Sequence, residues 1–157
     1  MHSNQRDAIA TEKLSFSSHI IKMYGYCSIA VLNEKGAEGA DSYFLHKKQR
    51  DTLTSYDKLY FAKNAARGIA DVHSVIDVNT GESTMVHGDV RPWNFMIVNN
   101  DNDDNNKKKK MNMDIKVHDF NAVKFRGYYN DTGAVCQSQS YNCNRVSFIS
   151  TLYTIIM

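Results

Sequence analysis

Cysteine is scarce: Cys27, Cys136 and Cys143 are the only three in 157 residues, and no two of them form a CxxC pair. An odd set at these spacings excludes a disulfide framework and a thiolate zinc site, and fits a reducing, cytoplasmic setting. Excess charge of one sign is missing too. With 19 basic and 17 acidic side chains the formal net charge is +2, too weak a field to recommend nucleic acid as a partner. The one basic cluster, Lys107 to Lys110, follows closely on Asp101, Asp103 and Asp104, so a solvated loop of mixed charge is expected there. No apolar run is long enough to span a bilayer. The nearest candidate, Val146 to Met157, is interrupted by hydroxyl residues and has about half the required length. The N-terminal MHSNQRDAIATEK lacks the apolar stretch of a secretory signal. Proline and tryptophan are reduced to one residue each, Pro92 and Trp93, and these stand side by side.

What remains is enough for one modest domain. Apolar residues make up 42% of the chain, sufficient at this length to bury a core. From Ser55 to Ser74 the residues Tyr56, Leu59, Tyr60, Ala66, Ile69, Ala70 and His73 recur at steps of three and four. That spacing predicts an amphipathic helix with these residues on its buried face. Thr54 followed by Asp57 offers a capping box. A shorter helix is expected over Asp41 to Arg50, and the end of another over residues 5 to 16, where Ala8, Ile9, Leu14 and Phe16 stand among charged residues. Ile20 to Cys27 and Ser28 to Leu32 read as two β-rich runs around a glycine turn, and Asp77 to Ser83 is turn material. Met85-Val86, Phe95 to Val98 and Ile115 to Val117 are strand-like. In the last, Ile115 and Val117 can face a core while Lys116 and His118 face away. Residues 99–112, NNDNDDNNKKKKMN, have nothing to bury and read as a disordered hairpin insertion. Tyr24, Tyr26, Tyr56 and Tyr60 are expected in the core or at its edge.

The lone proline sits in the densest chemistry of the chain. His87-Gly88-Asp89-Val90-Arg91-Pro92-Trp93-Asn94 crowds an imidazole, a carboxylate, a guanidinium and an amide between two apolar runs, and Ile115-Lys116-Val117-His118-Asp119-Phe120-Asn121 follows. In this order the two stretches resemble the catalytic loop HRDxKPxN and the DFG motif of the eukaryotic protein kinase-like superfamily, spelled here HGDVRPWN and DFN. Ser18 to Cys27, SHIIKMYGYC, resembles the small-lobe passage ahead of the hinge. Ala66-Arg67-Gly68-Ile69-Ala70-Asp71-Val72-His73 resembles the end of the helix that precedes the catalytic loop. The likeness spans residues 5–135 and leaves 136–157 as an irregular tail.

The resemblance implies a partial kinase-like α+β fold: the end of the small lobe, the hinge, and the first half of the mainly helical large lobe with its catalytic-loop β-hairpin. It also implies ATP-dependent phosphoryl transfer to protein hydroxyls. That chemistry is mostly positioning and charge neutralisation. It needs a carboxylate near the acceptor hydroxyl, oxygen ligands for Mg²⁺, and a cation for the moving phosphoryl group. Carried over by position, Asp89 is the catalytic base and Arg91 stands for the phosphate-contacting lysine. Asn94 and Asp119 are the magnesium ligands that serve bound ATP, and Pro92 fixes the turn between Arg91 and Asn94. The implied partners are ATP and a protein substrate.

Departures from the family pattern carry information as well. Gly88 stands where many such kinases have an arginine that pairs with a phosphorylated activation loop, which removes that route of activation. Asn121 stands where the family has glycine, and Asn is the least costly replacement where φ is positive. No glycine-rich loop, VAIK-like lysine strand or APE-like motif occurs, so the chain reads as the middle of a kinase-like domain. Asp7 or Glu12 lies near the place of that lysine's acidic partner. Three readings follow. The first is a phosphotransferase acting on protein, with a variant acting on small molecules as aminoglycoside and choline kinase-like enzymes do. The second is an inactive module that binds nucleotide or a protein partner. The third is a metal-dependent phosphohydrolase built on His87, Asp89, His118 and Asp119; its His-Asp doublet belongs on a helix, whereas Ile115 to Phe120 reads as a strand. His87 is expected to be structural, and Trp93 a packing or surface residue.

Overall fold

A computed structural model describes residues 3–27, 30–46, 50–99 and 113–126. The polar insertion from residue 100 to 112, Cys136, Cys143, the tail 136–157 and its apolar run lie outside the described residues. In chain order the elements are α1 (Ser3–Lys13), β1 (Met23–Cys27), β2 (Ala30–Asn33), β3 (Glu38–Gly39), α2 (Ala40–Leu45), α3 (Ser55–His73), β4 (Met85–Val86), a 3-10 turn (Pro92–Asn94), β5 (Phe95–Asn99), β6 (Met113–Val117) and β7 (Lys124–Phe125). The described residues form a mixed α+β arrangement of three helices and small antiparallel sheets. None of these helices is long and apolar enough to cross a membrane.

Helix α3 starts where its capping box places it. Thr54 Oγ1 accepts from the Asp57 amide at 3.2 Å, and Asp57 Oδ2 accepts from the Thr54 amide at 2.9 Å, satisfying two N–H groups that the helix leaves open. The buried face differs from the one that the periodicity picks out. Phe61, Ala62, Asn64, Ala65, Gly68, Ile69 and Val72 are buried, whereas Tyr56, Leu59, Ala70 and His73 are exposed. Close approach to the sheet decides the phase. A Cβ at Gly68 would stand under 3.0 Å from Val117 Cγ2 and 3.0 Å from the His19 carbonyl oxygen, so the point where α3 meets β6 has room only for glycine.

Strand β5 pairs with β3 on one side and β6 on the other, both antiparallel. Its register sets Phe95 opposite Val117 and Ile97 opposite Ile115. All four are fully buried, which makes this face the floor of the core. On the opposite face Lys116 Nζ meets Glu34 Oε1 at 2.6 Å, and the same oxygen accepts from the Lys22 amide at 2.6 Å. This pair ties the β1–β2 hairpin to the sheet. Ile20 and Ile21 leave the expected strand and run alongside β6: the Val117 amide donates to His19 O and the Ile21 amide to Val117 O, each at 2.9 Å.

Helix α2 ends at Leu45, short of the expected Arg50, and delivers Tyr43 and Phe44 edge-on to Phe61 at centroid distances of 6.0 and 5.4 Å. Each buried ring of this kind removes enough apolar surface to stabilise the fold by about 1.5–3 kcal/mol. Helix α1 adds Ala8 and Ala10 to the buried set, and the residues just after it add Leu14 but leave Phe16 exposed. Tyr24, Tyr26 and Tyr56 are exposed as well, against the expectation that they belong to the core, while Tyr60 is half-buried against it. Tyr24 and Tyr26 lie on a two-stranded hairpin, a sheet too small to bury both of its faces.

Candidate functional site

Two short strands bring the site's loops together. Met85 pairs with Phe125 and Val86 with Lys124, so the loop leaving β4 lies beside the turn that enters β7. The first loop contains His87 to Asn94 and the second Asp119 to Val123. Gly88 makes the first bend at φ +84, with the Ala122 carbonyl oxygen filling the place of a side chain.

Beyond it the loop is tied within itself. Arg91 is extended at φ −134, ψ 158, as the residue before a proline prefers, and Pro92 opens the 3-10 turn. The Asn94 amide donates to Arg91 O at 2.9 Å. Asn94 Nδ2 donates to Asp89 O at 2.7 Å and to Asp89 Oδ2 at 3.2 Å. Arg91 Nε holds the other carboxylate oxygen, Oδ1, at 2.7 Å. Asp89, Arg91 and Asn94 therefore form one bonded group, with Arg91 about half exposed and Asn94 buried.

Histidine 87 joins this group to the second loop. Its ring is 1% exposed and stacks at a tilt on Phe120, centroids 4.9 Å apart. Nε2 donates to His118 O at 3.2 Å, and Nδ1 accepts from the Asp89 amide at 3.4 Å. One donor and one acceptor suit the neutral ring. Burial pushes the imidazole's pKa below 6.5, opposed by the His118 carbonyl bond and the carboxylates of Asp89 and Asp119. His118 is also pushed down, first by burial, with Asp119 and the Trp93 carbonyl acting the other way. Its amide donates to Asn94 O at 3.0 Å and its Nε2 to Trp93 O at 3.0 Å. Both imidazoles bond backbone groups rather than converging on a shared point, which is poor geometry for the phosphohydrolase arrangement.

Asp119 follows directly and takes a left-handed conformation at φ +59. The positive φ thus falls on Asp119 and not on Asn121. The Phe120 amide donates to Asp7 Oδ1 at 2.7 Å. Of the two acidic residues noted on α1, Asp7 reaches the loop while Glu12 is exposed. Burial raises the Asp7 pKa; the Phe120 bond opposes this and the Asp119 charge adds to it.

No group of three or more His, Cys, Asp or Glu side chains gathers into a metal cage among the described residues. A magnesium ion that takes much of its shell from water and phosphate needs fewer protein ligands. Asn94 supplies one fitting donor: its Oδ1 is buried and has no hydrogen-bond partner among the described residues. An unpartnered buried amide oxygen is costly unless something binds it. The Asp119 carboxylate is of the same hard-oxygen type and is partly exposed. A cleft of about 580 Å³, lined by Ile9, Val75, Ile76, Val78 and Phe125, takes in none of the four candidate residues.

Several contacts at the site carry no sequence signal. Ser17 Oγ and His19 Nδ1 meet Asp71 Oδ2 at 2.6 and 2.9 Å, pinning the passage beside β6 to α3. Arg91 lies over the Trp93 ring at 5.1 Å. The first joins residues far apart in the chain; the second joins residues two positions apart that follow no pattern. Comparison of the chain with models of known protein families and with curated protein sequences finds no match.

Proposed function

We propose that the chain is a protein kinase-like α+β domain segment whose two loops serve ATP-dependent phosphoryl transfer to a protein hydroxyl. The observation that carries this reading is the bonded group at Asp89. A carboxylate held on both oxygens, a half-exposed guanidinium and an orphaned buried amide oxygen stand beside a second loop that offers the Asp119 carboxylate. These are the base, cation and metal-ligand types that the reaction requires.

Each residue has a separate task in this reading. Asp89 takes the proton of the acceptor hydroxyl, with Arg91 and Asn94 fixing the direction of its carboxylate. The exposed end of Arg91 faces the anionic group in transfer and offsets its charge. Asn94 Oδ1 and Asp119 hold magnesium, whose role when bound is to neutralise and align phosphate oxygens. His87 keeps the two loops in register through its bonds to His118 and Asp89. Asp7 holds the Phe120 amide, and with it the turn that carries Asp119.

The test is binding first and transfer second. Millimolar Mg²⁺ and ATP are expected to raise the melting temperature, since a ligand at about 100 times its Kd stabilises by about 2.7 kcal/mol. Asn94→Ala and Asp119→Asn are expected to abolish the rise. Asp89→Asn should keep the binding and lose label transfer to a protein acceptor. Absence of any thermal shift in the unsubstituted protein would overturn the reading. Binding without transfer would replace it by a nucleotide-binding module.

A further inference from the structure

We infer that Trp93 is a positioning residue for Arg91, and that the pair forms a pre-oriented guanidinium fork for a terminal phosphoryl group, so that the loop prefers a nucleoside triphosphate to a diphosphate. The inference rests on the phosphotransfer reading above. Arg91 is held at two points. Its Nε is bonded to Asp89 Oδ1 at 2.7 Å, and its guanidinium carbon lies 5.1 Å from the centre of the Trp93 ring. The ring attracts the cation by its quadrupole and fixes where the planar group lies. The two terminal nitrogens belong to a side chain that stays 53% exposed. A planar group anchored at Nε and backed by an aromatic face presents those nitrogens as a fork suited to two oxygens of one phosphoryl group.

Trp93 is itself well fixed for this task. It sits in the 3-10 turn after Arg91, and its carbonyl accepts from His118 Nε2 at 3.0 Å. Its ring is 49% exposed, so core packing does not account for a tryptophan here. The phosphoryl group nearest the acceptor hydroxyl is the terminal one. A cation bonded to the base at Asp89 is therefore placed for that group and not for the inner phosphates, and a diphosphate offers it nothing to bind.

The chain's single tryptophan makes the stack directly visible. The full chain and its W93L, W93Y and R91A variants are titrated with Mg·ATP and Mg·ADP by calorimetry, and tryptophan emission is recorded for the unsubstituted protein and R91A. W93L is expected to bind ATP about two- to fivefold more weakly with ADP affinity unchanged, and W93Y, which keeps an aromatic face, to recover most of the loss. R91A is expected to change the emission without ligand and to erase the ATP preference. Equal ATP and ADP affinities in the unsubstituted protein and W93L, an equal loss for both nucleotides in W93L, or unchanged emission in R91A each overturns the inference while leaving the phosphotransfer reading intact. If the unsubstituted protein binds neither nucleotide, both fall. If W93L does not fold, W93Y and the R91A emission decide.

Discussion

Replacing Gly88 with alanine is expected to cost far more than replacing Gly81, although both residues have positive φ, +84 and +69. A Cβ at Gly81 meets nothing within 4 Å. Gly81→Ala therefore carries only the left-handed penalty of about 1–2 kcal/mol, reduced by about 0.4–1 kcal/mol because alanine loses less freedom on folding. At Gly88 a Cβ would stand under 3.0 Å from the Ala122 carbonyl oxygen. That oxygen is main chain, in a turn closed by the Val123 amide bond to Phe120 O at 3.0 Å. Phe120 and Val123 are 0% and 1% exposed, so the carbonyl cannot yield without disturbing the core beneath it. Relief of such overpacking costs about 1–3 kcal/mol, which, added to the same left-handed penalty and entropy offset, brings Gly88→Ala to about 1–4.5 kcal/mol in total.

Urea unfolding of the two variants measures the difference. At a slope of about 1–3 kcal/mol per molar, a gap of about 2 kcal/mol moves the midpoint by roughly 1 M, with the slope itself unchanged. Unfolding free energies for Gly88→Ala and Gly81→Ala that agree to within about 0.5 kcal/mol would refute the steric account. Gly88→Arg, which inserts the residue that the family resemblance calls for, is expected to be at least as destabilising as alanine. The position is closed to any side chain by the Ala122 carbonyl.

Two further outcomes follow from the packing and the charges. Gly68→Ala gains about 1 kcal/mol of helix propensity but forces a methyl into Val117 and the His19 carbonyl, at about 1–3 kcal/mol; a net loss of stability is expected, and Val117→Ala in the same chain should recover part of it in a double-mutant cycle. Gly68→Ala that stabilises the protein would show that α3 does not lie so close to β6. For His87, burial depresses the folded-state pKa below the ordinary 6.5. Below that pH the unfolded chain binds a proton that the folded chain refuses. Stability is therefore full well above the ordinary value and falls as the pH drops through 6.5 and below, by at most about 1.36 kcal/mol per pH unit for this one ring. His87→Gln should flatten the dependence of the urea midpoint on pH; an identical dependence in both proteins would count against a neutral buried ring.

How much of this was open to reading in the sequence depends on the distance between partners. The capping box of α3 and the turn at Pro92 join residues a few positions apart, and residue types at fixed offsets disclose them; the bonds from Asn94 to Asp89 are equally local, but the residue types there suggest separate roles and not a bond. The phase of α3 is different. Apolar residues occur on both faces of that segment, Tyr56 and Leu59 on one and Phe61, Ala62 and Ala65 on the other, and hydropathy gives no reason to prefer either. Gly68 decides by having no side chain where β6 must pass, and a missing side chain adds nothing to an apolar count. The second loop shows the same limit. Residue type alone assigns the positive φ to Asn121, whereas the structure has it at Asp119, beside a Phe120 amide held by Asp7 from 113 positions away. A single carboxylate on a charged helix leaves no periodic trace of such a bond. The candidate site is thus local in its Asp89–Arg91–Asn94 half and long-range in its Asp119 half. Substitutions at Asp7 or Gly88 therefore probe the part of the site that no local pattern predicts: both act on the turn carrying Asp119, one through the Phe120 amide and the other through the Ala122 carbonyl.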